Sequence, residues 1–313
     1  MSDKTYTEEF VRINGIEHYL LHYSKGPGTP VLLYLHSGPG FSESLFAYMF
    51  DKSWGDMFTH IHWDQRGAGK TLQRNKGKNN PESISQMIDD LHGVVQHLKQ
   101  KYQTEKIVLL GHSWGSVLGS LYVLKYPENV SAYIGSGQVV NMMENERVGY
   151  ENAMKLAQTS GNEKHVQMLQ QIDKYPTDDF DETMRKLPVV RKVQESYEKD
   201  AGTWNLIKTM FKSPSFKWHD LINMTCFSKA NGKLIQELFS VDLSSLGNHY
   251  NVPVYYILGE NDTNAPIEIS IAYYETISAD CKSLTVIPDA GHNPMFEQPV
   301  EFAKALQVVR ERL

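Results

Sequence analysis

The run Gly111-His112-Ser113-Trp114-Gly115 sets a serine between two glycines. It follows the apolar stretch 107–110 and opens a segment of small residues that includes Ser116, Gly119 and Ser120. That context predicts a sharp strand-to-helix turn, where neighbouring side chains would collide and the flanking glycines are needed. Such a turn lifts the Ser113 hydroxyl above a sheet edge, near a helix N-terminus that favours developing negative charge. The chemistry this suits is nucleophilic attack on a carbonyl. It calls for a neutral imidazole to take the serine's proton and a carboxylate to fix the imidazole tautomer.

Twelve histidines are present, so a histidine alone means little. His292 is distinct because it lies in Asp289-Ala290-Gly291-His292-Asn293-Pro294, between the last predicted strand and the last predicted helix. The carboxylate is expected after the preceding strand, where Glu260 and Asp262 both qualify. Asp262 is preferred because Thr263, Asn264 and Pro266 follow it and favour a tight turn. Asp289 reads as a loop carboxylate bonded to backbone. Residues 35–40, Leu-His-Ser-Gly-Pro-Gly, follow another apolar run, and small residues there allow backbone N–H groups to face a reacting oxygen. One oxyanion donor is expected from Ser37 or Gly38 and the other from Trp114. His36 and His112 read as structural histidines. His60 and His62 alternate along a strand without a His-Glu-x-x-His pattern and read as a strand face, so no metal and no cofactor are expected.

These loops need elements to carry them. Segments 7–13 and 16–24 flank Asn14-Gly15 and read as a hairpin. Apolar runs at 31–35, 57–63, 107–110, 130–135, 252–259 and 283–287 read as buried strands. Helical spacing marks 82–101, the segment from the serine to about Lys125, and 297–312. The alternation predicts an α/β fold with a mostly parallel sheet covered on both faces. It stops between about 138 and 246, where helix-like spacing recurs at 142–158, 162–173, 179–198, 203–211 and 231–238. Ser113 precedes this stretch while Asp262 and His292 follow it. One site therefore needs residues 1–137 and 247–313 as a single core, with 138–246 as a helical cap insertion.

Composition narrows the class. The chain has 313 residues, 41% apolar and 22% charged, with a formal net charge of -6. That composition can fill a core and argues against disorder and against a nucleic-acid surface. The two cysteines, Cys226 and Cys281, are too few for a disulfide framework. No apolar run approaches the roughly 20 residues that span a bilayer. MSDKTYTEEF lacks the apolar stretch of a signal peptide. A cytoplasmic protein without membrane partners is the expectation, and its oligomeric state is left open.

The motifs together resemble the α/β-hydrolase superfamily and, within it, the proline iminopeptidase (prolyl aminopeptidase) family, peptidase family S33. The matching segments are His36-Ser37-Gly38-Pro39-Gly40, Asp64-Gln65-Arg66-Gly67-Ala68-Gly69-Lys70, Gly111-His112-Ser113-Trp114-Gly115-Ser116-Val117-Leu118 and Gly291-His292. The resemblance implies the chain order serine, acid, histidine. It implies release of an N-terminal proline or other small apolar residue from short peptides, without a metal, under a cap whose glutamates read the substrate's free amine. Ser37 and Thr71 depart from the family's glycine and serine, and the Trp-x-x-Trp-Glu signature of the cap is missing. Glu144 and Glu146 are the candidate amine-binding groups. Phe41, Trp114, Met142 and Tyr150 are candidates for an apolar pocket. An esterase or amidase acting on small hydrophobic acyl compounds is the alternative. A non-catalytic binding module would show a broken triad, which this chain does not.

Overall fold

The computed structural model describes residues 6–24, 28–76, 78–197, 209–218, 220 and 230–313. Its centre is an eight-stranded mixed sheet in the order β1-β2-β4-β3-β5-β6-β7-β8. The strands are β1 (Thr7–Ile13), β2 (Ile16–Tyr23), β3 (Val31–Leu35), β4 (Thr59–Asp64), β5 (Ile107–His112), β6 (Val130–Ser136), β7 (Val254–Gly259) and β8 (Lys282–Ile287). β2 pairs antiparallel with β1 and β4, and every other neighbouring pair is parallel.

The apolar strand runs lack alternation because both faces are covered. Leu33, Leu35 and Leu109 pack on one face with Leu91, Val94 and Leu98 of α3 (Ile84–Tyr102) and Leu118 of α4 (Trp114–Lys125). Their neighbours Leu32, Tyr34, Val108 and Leu110 pack on the other face with Phe50, Trp54 and Phe302. The 82–101 spacing becomes α3, which starts where the Ser83 hydroxyl accepts the Gln86 N–H. The short helices α1 (Asp51–Trp54) and α2 (Gly69–Arg74) were not expected from periodicity. The helix expected over 297–312 is divided into Pro294–Glu297 and Pro299–Arg310. Gln298 precedes a proline, which disfavours helical backbone there.

A helical cap region is inserted between β6 and β7. It contains α5 (Met142–Thr159), α6 (Glu163–Gln171), α7 (Phe180–Glu195) and α8 (Gly232–Leu238). Asn141, Asn162 and Asp179 cap the first three through their side chains. Ala153, Leu169, Tyr175, Val190 and Val193 form a separate cap core. Most of the helix expected at 203–211, along with Trp204 and Cys226, lies outside the described residues. Cys281 is a half-buried free thiol. Among the described residues no helix is long and apolar enough to cross a membrane.

Candidate active site

From β3 the chain crosses outward to β4 on one side, while β5 lies on β3's other side. The loops after β3 and β5 therefore diverge at the carboxyl ends of neighbouring parallel strands, the position where open α/β sheets leave a crevice. The β3 loop carries His36–Gly40 and the β5 turn carries Ser113.

Ser113 has φ 55 and ψ -118, left-handed backbone that a serine adopts only when its surroundings impose it. Ser113 N–H donates to Ser136 O at 3.0 Å, and Ser116 N–H closes the turn on Ser113 O at 2.8 Å. The two glycines of the motif are needed for close approach. A Cβ on Gly111 would lie 2.3 Å from Gly115 O, and one on Gly115 would lie 2.0 Å from Leu35 O. The elbow is thus pressed against the end of β3.

His292 Nδ1 stands 3.0 and 2.9 Å from the two carboxylate oxygens of Asp262. Asp262 is 6% exposed, and its Oδ1 also accepts the N–H groups of Asn264 and Ala265. Of the turn residues that singled out Asp262 in the sequence, Asn264 bonds to its carboxylate, and Ala265 joins it. Glu260 instead accepts Asp289 N–H at 3.2 Å, so it does not face the imidazole. A carboxylate only accepts, so the pairing puts a proton on Nδ1 and leaves Nε2 for a substrate proton.

Contacts from three residues, which sequence reasoning missed, surround the His292 loop. Glu297 accepts Gly291 N–H at 2.6 Å and Asn293 N–H at 3.0 Å, one on each side of the histidine. His112 Nε2 lies 2.9 Å from His292 O. Gly137, at φ 50, lies so close that a Cβ there would stand 3.0 Å from His292 Cε1. A glycine at the end of a strand was the signal for the last, but a glycine alone does not reveal what it faces.

The β3 loop is fixed by buried polar bonds. His36 Nε2 accepts Gln65 N–H at 3.1 Å, so the ring proton sits on Nδ1 and is given to Ser37 O at 2.6 Å. Burial lowers the His36 pKa, in keeping with this neutral form. Gln65 also accepts the Trp114 indole N–H at 2.8 Å and donates to His36 O at 3.3 Å. The rest of the Asp64–Lys70 motif is scaffold. Arg66 grips the buried Asp90 through two nitrogens, at 2.6 and 3.0 Å. Asp64 accepts Ser42 Oγ–H at 2.5 Å and Lys70 N–H at 2.7 Å. Thr71 Oγ1–H donates to Asp64 O at 2.5 Å, a bond a serine could also make.

The oxyanion candidates differ in setting. Trp114 is the first residue of α4, so its N–H has no acceptor within the helix. Ser37 N–H lies 3.4 Å from Glu43 Oε1, and Ser37 Oγ–H lies 2.5 Å from the same atom. Gly38 follows at φ 122.

The cap candidates are not brought together. Glu144 pairs with Arg147 on an exposed face. Glu146 is buried and holds Arg191 with one oxygen and the Tyr175 hydroxyl, at 2.5 Å, with the other. Met142 packs on the main core, Tyr150 packs on the cap core, and Trp114 is buried beside Val117 and Leu118. Phe41 stacks on Phe46, with ring centroids 6.2 Å apart, and lines a small pocket with Leu45 and Met210. A groove of about 630 Å³ runs along the seam of cap and core. Its walls include Leu156 and Tyr197 from the cap and Asp262, Glu268, Asp289 and Glu297 from the core.

The family profile described as "Serine aminopeptidase, S33" matches residues 33–215, more than half of the chain. The chain belongs to this family. It is 26% identical over 308 residues to the probable aminopeptidase YbaC of Bacillus subtilis (strain 168), covering 96% of this chain and 92% of that one. The fold is that of the proline iminopeptidase of Mycobacterium smegmatis, with TM-score 0.69, 18% identity and 98% of each chain covered. It is also that of a thermophilic esterase from Thermogutta terrifontis, with TM-score 0.61, 21% identity and 98% of each chain covered. The chain is accordingly a serine hydrolase of the α/β-hydrolase fold, related to proline iminopeptidase-like enzymes.

Proposed function

We propose that Ser113, His292 and Asp262 are the catalytic triad of an aminopeptidase that releases an N-terminal proline or small apolar residue from short peptides. The observation that carries this is the Asp262–His292 bond at 2.9 Å in a chain whose Ser113 sits on a strained elbow between two obligatory glycines. His292 Nε2 takes the Ser113 proton as Oγ attacks the carbonyl carbon of the scissile bond. Asp262 holds the ring and stabilises the imidazolium. The tetrahedral oxyanion is met by Trp114 N–H and, because Ser37 N–H is turned toward Glu43, by Gly38 N–H. His292 then protonates the leaving amine, and the acyl-enzyme forms. Water enters, gives its proton to His292 and attacks the ester, and Ser113 leaves with that proton. Losing one oxyanion donor costs such a site about 3–4 kcal/mol of transition-state stabilisation.

The aminopeptidase reading draws on the S33 family, whose profile is described as a serine aminopeptidase. One observation favours a second reading, hydrolysis of small hydrophobic esters or amides. Glu144 and Glu146 both already hold arginines, so neither is an open anion for an ammonium group. A paired assay separates the two. Proline 4-nitroanilide with a free amine is set beside its N-acetyl form and a p-nitrophenyl ester. The aminopeptidase reading expects a strong preference for the free amine, and Glu144→Gln and Glu146→Gln then test for amine recognition. Equal or faster turnover of the blocked amide or the ester would reject that reading in favour of the second.

A further inference from the structure

Glu43 takes no part in the steps above, yet it is only 1% exposed and lies between the oxyanion loop and the nucleophile turn. Its carboxylate receives the Tyr34 hydroxyl from β3, the Ser37 hydroxyl and N–H from the oxyanion loop, and His112 Nδ1, at 3.0 Å, from the residue before the nucleophile. His112 is itself fully buried and reaches on through Nε2 to His292 O at 2.9 Å. The path oxyanion loop, Glu43, His112, base loop is therefore unbroken.

A carbonyl oxygen only accepts, so His112 Nε2 bears a proton. The bond between Nδ1 and Glu43 needs one more proton. Either it sits on the ring, giving imidazolium and carboxylate, or it sits on Glu43, giving neutral imidazole and acid. Both forms make a neutral unit, so the pair can be buried without a net charge. The Tyr34 and Ser37 hydroxyls donate to the Glu43 oxygens and favour the ionised form. The charged end of the pair then lies against the base, since the rings of His112 and His292 have centroids 5.1 Å apart.

We propose that Glu43 and His112 are positioning residues, a buried carboxylate–imidazolium bridge that fixes the oxyanion loop and the His292 loop relative to Ser113 during acyl transfer. The proposal rests on Ser113 and His292 being the reacting pair. The structural alternative is an ion pair that stabilises the fold and leaves the reaction untouched.

The test compares Glu43→Gln, His112→Gln and the double variant with the wild-type enzyme, using a p-nitrophenyl ester and the rate of Ser113 phosphonylation by a fluorophosphonate. Each single change is expected to lower kcat and the limiting phosphonylation rate about tenfold to a hundredfold, the scale of a small misplacement of reacting groups, with KM within about twofold. The double variant is expected to be no slower than the slower single one, because either change breaks the same bridge. In wild-type enzyme carrying ¹⁵N-histidine, both ring nitrogens of His112 are expected to carry a proton, because one faces the Glu43 carboxylate and the other His292 O, a readout that does not depend on a variant folding. Unchanged kcat in folded single variants, multiplicative losses in the double variant, or a neutral His112 ring would each overturn the proposal. A Ser113→Ala control separates the two levels. If it still turns over the ester, the reading of the reacting pair fails. If it is dead while Glu43→Gln keeps wild-type kcat, only the bridge fails.

Discussion

Replacing Gly137 with alanine asks whether the position of His292 is set by contact with the segment that leads into the cap. The substitution carries two costs. Gly137 has φ 50, and an alanine in left-handed backbone loses about 1–2 kcal/mol, roughly 2–6 °C in melting temperature. The new Cβ would also stand 3.0 Å from Cε1 and 3.1 Å from Nδ1 of His292, closer than ordinary contact by a few tenths of an ångström. The ring cannot yield freely, because Asp262 holds its Nδ1, His112 holds the His292 carbonyl, and Glu297 holds the N–H groups of Gly291 and Asn293 on either side. The displacement is passed to the Nε2 edge, the end that takes the serine proton. A shift of that kind costs up to about 10² in rate. We therefore expect kcat for a p-nitrophenyl ester to fall about tenfold to a hundredfold with KM nearly unchanged. Gly161→Ala is the matched control, since Gly161 has φ 67 but nothing within 4 Å of its would-be Cβ. It should lose similar stability and keep wild-type kcat. If Gly137→Ala keeps kcat within twofold of Gly161→Ala, the contact does not position the base and the argument is wrong.

Other expectations follow from the buried charges. Asp90→Ala leaves Arg66 buried without its carboxylate, and urea unfolding should show a loss of about 3–5 kcal/mol. Glu43 gives a pH dependence. Burial alone would raise its carboxyl, but His112, Ser37 and Tyr34 outweigh this and hold it at about 2 against an ordinary 4.5. A depressed carboxylate stabilises the fold above its unfolded pKa and loses that contribution as pH falls through the folded one. The stability difference between wild type and Glu43→Gln should therefore shrink by about 3 kcal/mol between pH ~5 and ~2. A difference that stays constant over that window would show that Glu43 is not held ionised by its neighbours.

The parts of the site carried by local chemistry were legible in the sequence. An apolar run followed by Gly-x-Ser-x-Gly encodes its own turn, and Thr263, Asn264 and Pro266 mark a tight turn after Asp262, where the structure has the Asn264 and Ala265 N–H groups bonded to its carboxylate. Glu43 and Glu297 were not legible. Each lies among apolar neighbours, Glu43 just before Leu45 and Phe46 and Glu297 just after Met295 and Phe296, and each acquires meaning only from groups that the fold brings to it. The cap shows the same limit. Glu144 and Glu146 sit two positions apart on one helix, so they cannot share a face. Which of them is buried depends on Arg191 and Tyr175, supplied by later cap segments. The last helix was misjudged at Gln298 for a local reason, the following proline, that the apolar spacing hid.

The central claim is that Ser113 forms a covalent intermediate with His292 as its base. Incubation with a fluorophosphonate followed by peptide mass spectrometry tests it most directly. A single adduct is expected on the peptide containing Ser113, absent in Ser113→Ala and greatly slowed in His292→Ala. An adduct on another residue, or labelling at an undiminished rate without His292, would contradict it.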